Sequence, residues 1–162
     1  MMATKTTTYT TVAGLNKALA KLPKEASAEL RTAAKEIASD IAGEAQGRAR
    51  GLGGLAEVVA PTIKAARDRV PVIKMGSSAK LPKFGRTPQG GFWERTRSGS
   101  RQTIGDVIWG AEFGGGARES TRQFLPHKGQ TGYFLWPTVR DRSDEMQDRY
   151  SEALLDALKD TE

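Results

Sequence analysis

The sequence predicts an α+β domain: a long N-terminal helix and a C-terminal amphipathic helix packed on a small, mostly antiparallel sheet, with a long basic loop or arm set into it. Three observations carry this expectation. Apolar residues recur at steps of three and four in one stretch near each end of the chain. β-branched residues gather in short runs between those stretches. Residues 76–103 hold Gly, Ser, Pro and basic residues with little apolar periodicity, as extended functional loops do. A length of 162 residues suits one domain, 1–162, with 76–103 as an arm inside it.

The elements follow in order. A shorter helical piece carrying Val12, Leu15, Leu19 and Leu22 comes first. Ala26, Leu30, Ala33, Ala34, Ile37, Ile41 and Ala45 then form one apolar stripe and predict a helix over 24–48. Pro23 suits its first turn, where a missing N–H costs nothing, and Gly51, Gly53 and Gly54 stop it. The stripe is mostly Ala, so a partner can approach closely while little area is buried per residue. Residues 55–60 read as a short helix turned by Pro61, and 62–69 and 70–75 as two strands, the second marked by Val70, Val72, Ile73 and Met75 and ended by Gly76. After the arm, Ile104, Val107, Ile108 and Trp109 make a short apolar element. Tyr133, Phe134, Leu135 and Trp136 read as an aromatic strand closed by Pro137. A final helix over 138–159 lines up Val139, Met146, Tyr150, Ala153, Leu154, Ala157 and Leu158, with Asp141, Asp144 and Glu145 near its positive end.

Composition narrows the chemistry. Cysteine is absent and histidine occurs once, which excludes disulfide scaffolds, thiol nucleophiles and zinc sites built from Cys or several His. The longest uncharged runs have 11 residues, 6–16 and 129–139, far short of the roughly 20 apolar residues of a membrane span. Nothing at the N-terminus resembles a secretory signal, so no membrane partner is expected and the protein should act where it is made, or in what is built there. Gly114-Gly115-Gly116 lacks the flanking pattern of a phosphate loop and reads as a turn. His127 lies in a polar loop with no G-x-S-x-G elbow to supply a serine partner. The carboxylates near the C-terminus lie along an amphipathic helix and read as a polar or partner-facing surface, not a catalytic pair or metal site. The expectation is a non-enzyme with no catalytic residue, cofactor or metal.

Charge is uneven. Residues 51–101 carry 10 basic against 3 acidic residues, whereas 138–162 carry 4 against 8. A basic middle and an acidic tail can attract each other between neighbouring copies and favour head-to-tail association. In the basic segment that runs into the arm, Lys74, Lys80, Lys83, Arg86, Arg95, Arg97 and Arg101 surround Phe84, Phe92 and Trp93. Such a segment can release counterions from phosphates and stack on bases, with Lys74, Lys80, Lys83, Arg86 and Arg101 facing DNA. It can equally serve as a subunit-contact arm, with Phe84, Phe92, Trp93, Arg95 and Arg97 meeting Asp144, Glu145, Asp148 and Glu152 of a neighbour. We favour the contact arm, because interface cores enrich aromatic residues and Arg.

An Ala-rich helix over 30–45, a small sheet over 62–75, Glu112-Phe113-Gly114, and Phe134-Leu135-Trp136-Pro137 leading into a charged helix over 139–158 stand in this order along the chain. In that order they resemble the neck proteins of long-tailed double-stranded DNA phages, the head-to-tail connector or tail-completion family. The chain departs from the family pattern in its turn before the first strand, where it has Gly51-Leu52-Gly53-Gly54-Leu55 and a later Ala60-Pro61. The resemblance implies a structural virion protein at the head-to-tail junction, assembled in the host cytoplasm as a homo-oligomeric ring, taken as a hexamer, around a DNA channel. Its neighbours would be stopper, adaptor, tail terminator or tail-tube proteins. A tail terminator capping the tube, or a small DNA-binding protein using the arm, stay open as alternatives. Within this reading Glu112, Phe113, Gly114, Phe134, Trp136 and Pro137 are structural motif residues, with Phe113 in the core and Gly114 in a conformation that a side chain would oppose.

Overall fold

An alanine stripe on a helix lets neighbouring backbones come close, and the domain is organised around such a helix. A computed structural model describes residues 17, 19–82, 84–86, 92–94, 102–115 and 123–159. Helix α1, Lys24–Leu52, buries Ala26, Leu30, Ala34, Ile37, Ala38, Ile41, Ala42, Ala45 and Ala49. Pro23 stands at its N-cap. The helix runs through Gly51 and stops at Gly53, whose φ of 68° leaves the helical region. At 29 residues it is about 43 Å long at 1.5 Å per residue. Leu19 before it is buried, while Val12 and Leu15 lie outside the described residues.

Helix α2, Gly54–Val59, and the 3-10 turn Ala60–Thr62 bury Leu55, Ala56, Val59 and Ala60 against α1. Strands β1, Lys64–Ala66, and β2, Val72–Lys74, pair antiparallel with Ala65 opposite Ile73. They are shorter than the sequence suggests. Thr62 belongs to the 3-10 turn, where its hydroxyl donates to Val59 O at 2.6 Å and accepts the Gly76 N–H at 2.9 Å. That bond ties the start of β1 to the end of β2.

The basic segment is rooted in the domain. Leu81 N–H donates to Gln102 O at 3.0 Å, Ile104 N–H to Ala79 O at 2.9 Å and Gly105 N–H to Ser77 O at 2.9 Å, and the Leu81 side chain is buried. Beyond that root, β3, Phe84–Arg86, pairs antiparallel with β4, Phe92–Glu94, setting Gly85 opposite Trp93 and Arg86 opposite Phe92. The arm therefore carries a second two-stranded ribbon, which its composition did not predict.

Helix α3, Ile104–Phe113, follows at once. The Asp106 carboxylate accepts the Thr103 N–H at 2.7 Å and the Thr103 hydroxyl at 2.9 Å, and these bonds hold its pKa below the usual 3.8. A lowered folded-state pKa contributes stability that is present above the unfolded value and lost as pH falls through the folded one. The stability difference between the wild type and Asp106→Ala should thus be full above about pH 5 and close below about pH 4. Urea titrations across that range would read it.

The C-terminal part departs from the sequence expectation. The aromatic run is not a strand: Leu135–Asp141 is helix α4, with Phe134 at its N-cap and Pro137 within its first turn. Period-two reading fails here because Pro137 is the third helical residue, where its fixed φ is compatible with a helix start. The chain kinks at Arg142 and continues as α5, Ser143–Lys159, so the single helix expected over 138–159 is two. Helix α5 lies along α1. Arg142 pairs with Glu44 at 2.8 Å, Arg149 with Asp40 at 2.7 Å, and Arg48 of α1 reaches back to Asp141 at 2.8 Å. The Tyr150 hydroxyl donates to Arg69 O at 2.8 Å. Leu158, expected on the buried line, is exposed. One buried cluster joins Ala42, Ala45 and Ala49 of α1 to Leu55, Val59, Ile63, Leu81, Val107, Ala111 and the fully buried Phe134.

Candidate functional site

Glu112 is the one acid in the core of the described residues, 2 % exposed near the end of α3. A buried carboxylate is costly unless it is fully bonded. Its Oε2 accepts the N–H of Leu135 at 3.0 Å and of Phe134 at 3.4 Å, and its Oε1 accepts that of Trp136 at 2.8 Å. The next residue, Pro137, has no N–H to offer. One carboxylate therefore takes every backbone donor from the N-cap to the third residue of α4, at the end of the helix dipole that favours negative charge. Gly132 completes the pocket. Its φ is 71°, and a Cβ there would run into the Glu112 carboxylate.

Gly114 ends α3 with φ 86°, as the sequence suggests. The returning segment crosses this helix end: Gly115 N–H donates to Leu125 O at 2.8 Å, and Lys128 N–H donates to Phe113 O at 2.9 Å. Phe113 itself is not a core residue. It is half-buried and stacks on Trp109, with ring centroids 5.6 Å apart, because the turn of α3 that buries Val107, Ala111 and Glu112 faces its fourth residue toward the surface.

That surface is an apolar cleft of about 340 Å³, lined by Met75, Trp109, Phe113, Leu135 and Trp136 with Glu112 and Gln130. Trp109 is 69 % exposed and Trp136 48 %. Cations stand near it. The Arg140 guanidinium lies over the Trp136 ring at 5.7 Å and donates to Gln130 O. Lys128 sits over Tyr133 at 4.7 Å, and the exposed Lys74 lies on the other face of the chain from Met75. The motif residues Glu112, Phe113, Trp136 and the fully buried Phe134 thus come together around one helix end. From the sequence Met75 and Trp109 were read only as members of a strand and of a short apolar element, and Arg140 was not singled out. The signal for them was an α3 that is apolar on more than one side, with Ile104, Ile108 and Trp109 in addition to its buried face.

The acidic residues of α5 divide. Glu145 is occupied within the subunit, bonded to Arg142 at 2.6 Å and near Arg149 at 3.5 Å, and the Arg142 guanidinium holds its carboxyl below the usual range. Asp144 and Asp148 are exposed on the outer side of α5, Asp144 taking a 3.4 Å bond from the Ser143 hydroxyl, and Glu152 is exposed beside a groove shared with Ala33, Glu36 and Ile37 of α1. Of the basic segment's cations, Lys74 on β2 and Lys80 in the arm are exposed. Phe84, Arg86, Phe92 and Trp93 fall on the paired strands β3 and β4, whereas Lys83, Arg95, Arg97 and Arg101 lie outside the described residues. Among the described residues no group of three or more potential metal ligands forms, and no helix is long and apolar enough to cross a membrane. Comparison with family models, with curated proteins and with solved structures found no match.

Proposed function

We propose that this chain is a structural subunit of a phage virion that assembles as a homo-oligomeric ring, taken as a hexamer, at the head-to-tail joint. There it would link the head-side connector to the tail around a DNA channel, and act by assembly rather than catalysis. The observation that carries the reading is that its two diagnostic motifs are one physical unit. Glu112 of Glu112-Phe113-Gly114 binds the amides that open Leu135-Trp136-Pro137, so a carboxylate that could otherwise suggest chemistry is consumed in holding two helices together. Around that unit stand surfaces suited to contacts: an apolar cleft, a basic arm and an acidic outer helix face. A subunit whose dissimilar faces are complementary joins heterologously, and such contacts form a ring when the rotation between neighbours closes.

Negative-stain imaging with mass measurement, on the protein alone and mixed with tail tubes or DNA-filled heads of the same phage, tests the proposal. Rings, or added density at a tail end or portal vertex, are expected; density at tail ends alone would favour the terminator role. The basic arm favours a second reading, direct DNA binding. In that case a monomer should shift DNA with an affinity falling steeply as salt rises, losing roughly 10³-fold or more between 50 and 200 mM if six or more phosphates are contacted. A chain that ignores heads and tails but behaves this way would replace the neck assignment.

A further inference from the structure

We propose that the apolar cleft between α3 and α4 is the acceptor site for the outer face of α5 from a second copy of this chain. The proposal rests on the ring-forming reading for its biological setting, and on the following geometry for its content.

Helix α5 buries Ala157 and half-buries Met146, Tyr150 and Ala153 against the domain. Asp144 and Leu155, four before and seven after Asp148, lie on the opposite side with it, and Glu152 stands at the edge of that face beside a groove toward Ala33, Glu36 and Ile37 of α1. Two acids and a leucine share the face, and the leucine is 60 % exposed. Leu158, three residues on, is exposed too, and Lys159 is turned to Asp156 at 2.9 Å. An amphipathic helix that meets only water keeps leucine off the middle of its polar face.

The large hydrophobic side chains exposed among the described residues are Trp109, Trp136, Leu155 and Leu158. Two flank the cleft and two lie on α5. Their surroundings are opposite in charge: Lys128 and Arg140 stand near the cleft, Asp148 and Glu152 beside Leu155. Glu112 does not disturb this match, because its carboxylate is taken up by three amides. A leucine entering between two tryptophans with acids laid against a cationic rim forms an aromatic anchor inside a polar border, the arrangement that concentrates binding energy at interfaces. Helix α5 cannot make this contact within its own subunit. The Arg149–Asp40 pair and the Tyr150–Arg69 bond fix its inner face on α1 and the β1–β2 turn, so its outer face points away. The contact therefore runs from one copy to the next, and its two sides differ, which is what a ring requires.

Two substitutions at exposed positions test it, with folding checked by circular dichroism. Leu155→Glu alone and Trp109→Glu alone should each weaken self-association of the full chain at least about tenfold by sedimentation. An equimolar mixture of the two should recover a dimer and nothing larger, since each supplies the face the other lacks. The chain has no cysteine, so Gln130→Cys and Glu152→Cys chains can be mixed and treated with a short bis-maleimide. Cross-linked pairs should exceed those formed when Ser39→Cys on α1 replaces Gln130→Cys. Single variants that associate like wild type, a mixture that stays monomeric, or cross-linking no better than the control would each overturn the contact, the last even for a wild type that is monomeric by mass. Failure of the neck reading is separate: multimers built through this contact that bind neither heads nor tails would reject the virion role and keep the contact, while rings indifferent to both substitutions would do the reverse.

Discussion

Gly114→Val should destabilise the domain by about 4 kcal/mol or more, with a much lower urea midpoint and melting temperature than the wild type. A φ of 86° is unfavourable for any residue with a side chain and most of all for a β-branched one, about 1–3 kcal/mol before any contact is considered. The contacts are worse. The Cβ would meet the carbonyl of Pro126, and Leu125 O and the Pro126 carbonyl carbon at 2.7 Å. These are backbone atoms, pinned by the Gly115–Leu125 and Lys128–Phe113 hydrogen bonds on either side, so they yield only if those bonds break. Strain and lost bonds together reach about 4 kcal/mol or more, against a total stability of about 5–15 kcal/mol for a domain. Gly129→Ala is the matched control: φ is 62° there, but nothing lies within 4 Å of the added carbon, and the cost should stay near 1 kcal/mol. A Gly114→Val protein with the wild-type midpoint would mean that 123–128 does not cross the end of α3.

The second large effect falls on Glu112. Glu112→Ala should cost about 3–5 kcal/mol, because three amides that now donate to a carboxylate, with the Phe134 bond buried and those of Leu135 and Trp136 part-buried, would lose their acceptor. Glu112→Gln should fall between the two, since one amide oxygen still accepts while the NH₂ group faces donors. Urea midpoints at constant m-value would give the order wild type, Gln, Ala. An Ala variant as stable as wild type would remove Glu112 from its place at the head of α4, and with it the argument that this acid is structural.

Much of the fold was legible because its signals are local. Ala26 to Ala45 spell out one helical stripe, Pro23 and Gly53 stand where a helix begins and ends, and Val72-Ile73 between turn residues mark a strand. The failures have a common cause. Phe134 to Trp136 look like a strand by composition, and what makes them helical is a carboxylate brought from another helix, which no window around Pro137 contains. Phe113 was assigned to the core as part of the Glu112-Phe113-Gly114 motif, whereas α3 turns Glu112 inward and Phe113 outward. Sequence reasoning does not foresee a buried acid, since burial of a carboxylate depends on donors that only the tertiary structure supplies. Of the acids expected to meet a partner, Asp144, Asp148 and Glu152 are exposed, whereas Glu145 is taken by Arg142 within the subunit, a pairing that depends on the kink at that arginine.

The Glu112 bond set also bears on how the molecule comes apart. A helix of seven residues is too short to nucleate itself in water, where isolated helices below about 12 residues are marginal. Helix α4 obtains its first turn from a residue 23 positions earlier in the chain, so neither partner of that bond can melt and leave the other intact. The amide protons of Leu135 and Trp136 then act as reporters on α3: they exchange with solvent deuterons only when its C-terminal turn opens, and both helices share one protection factor as a single unit of local unfolding.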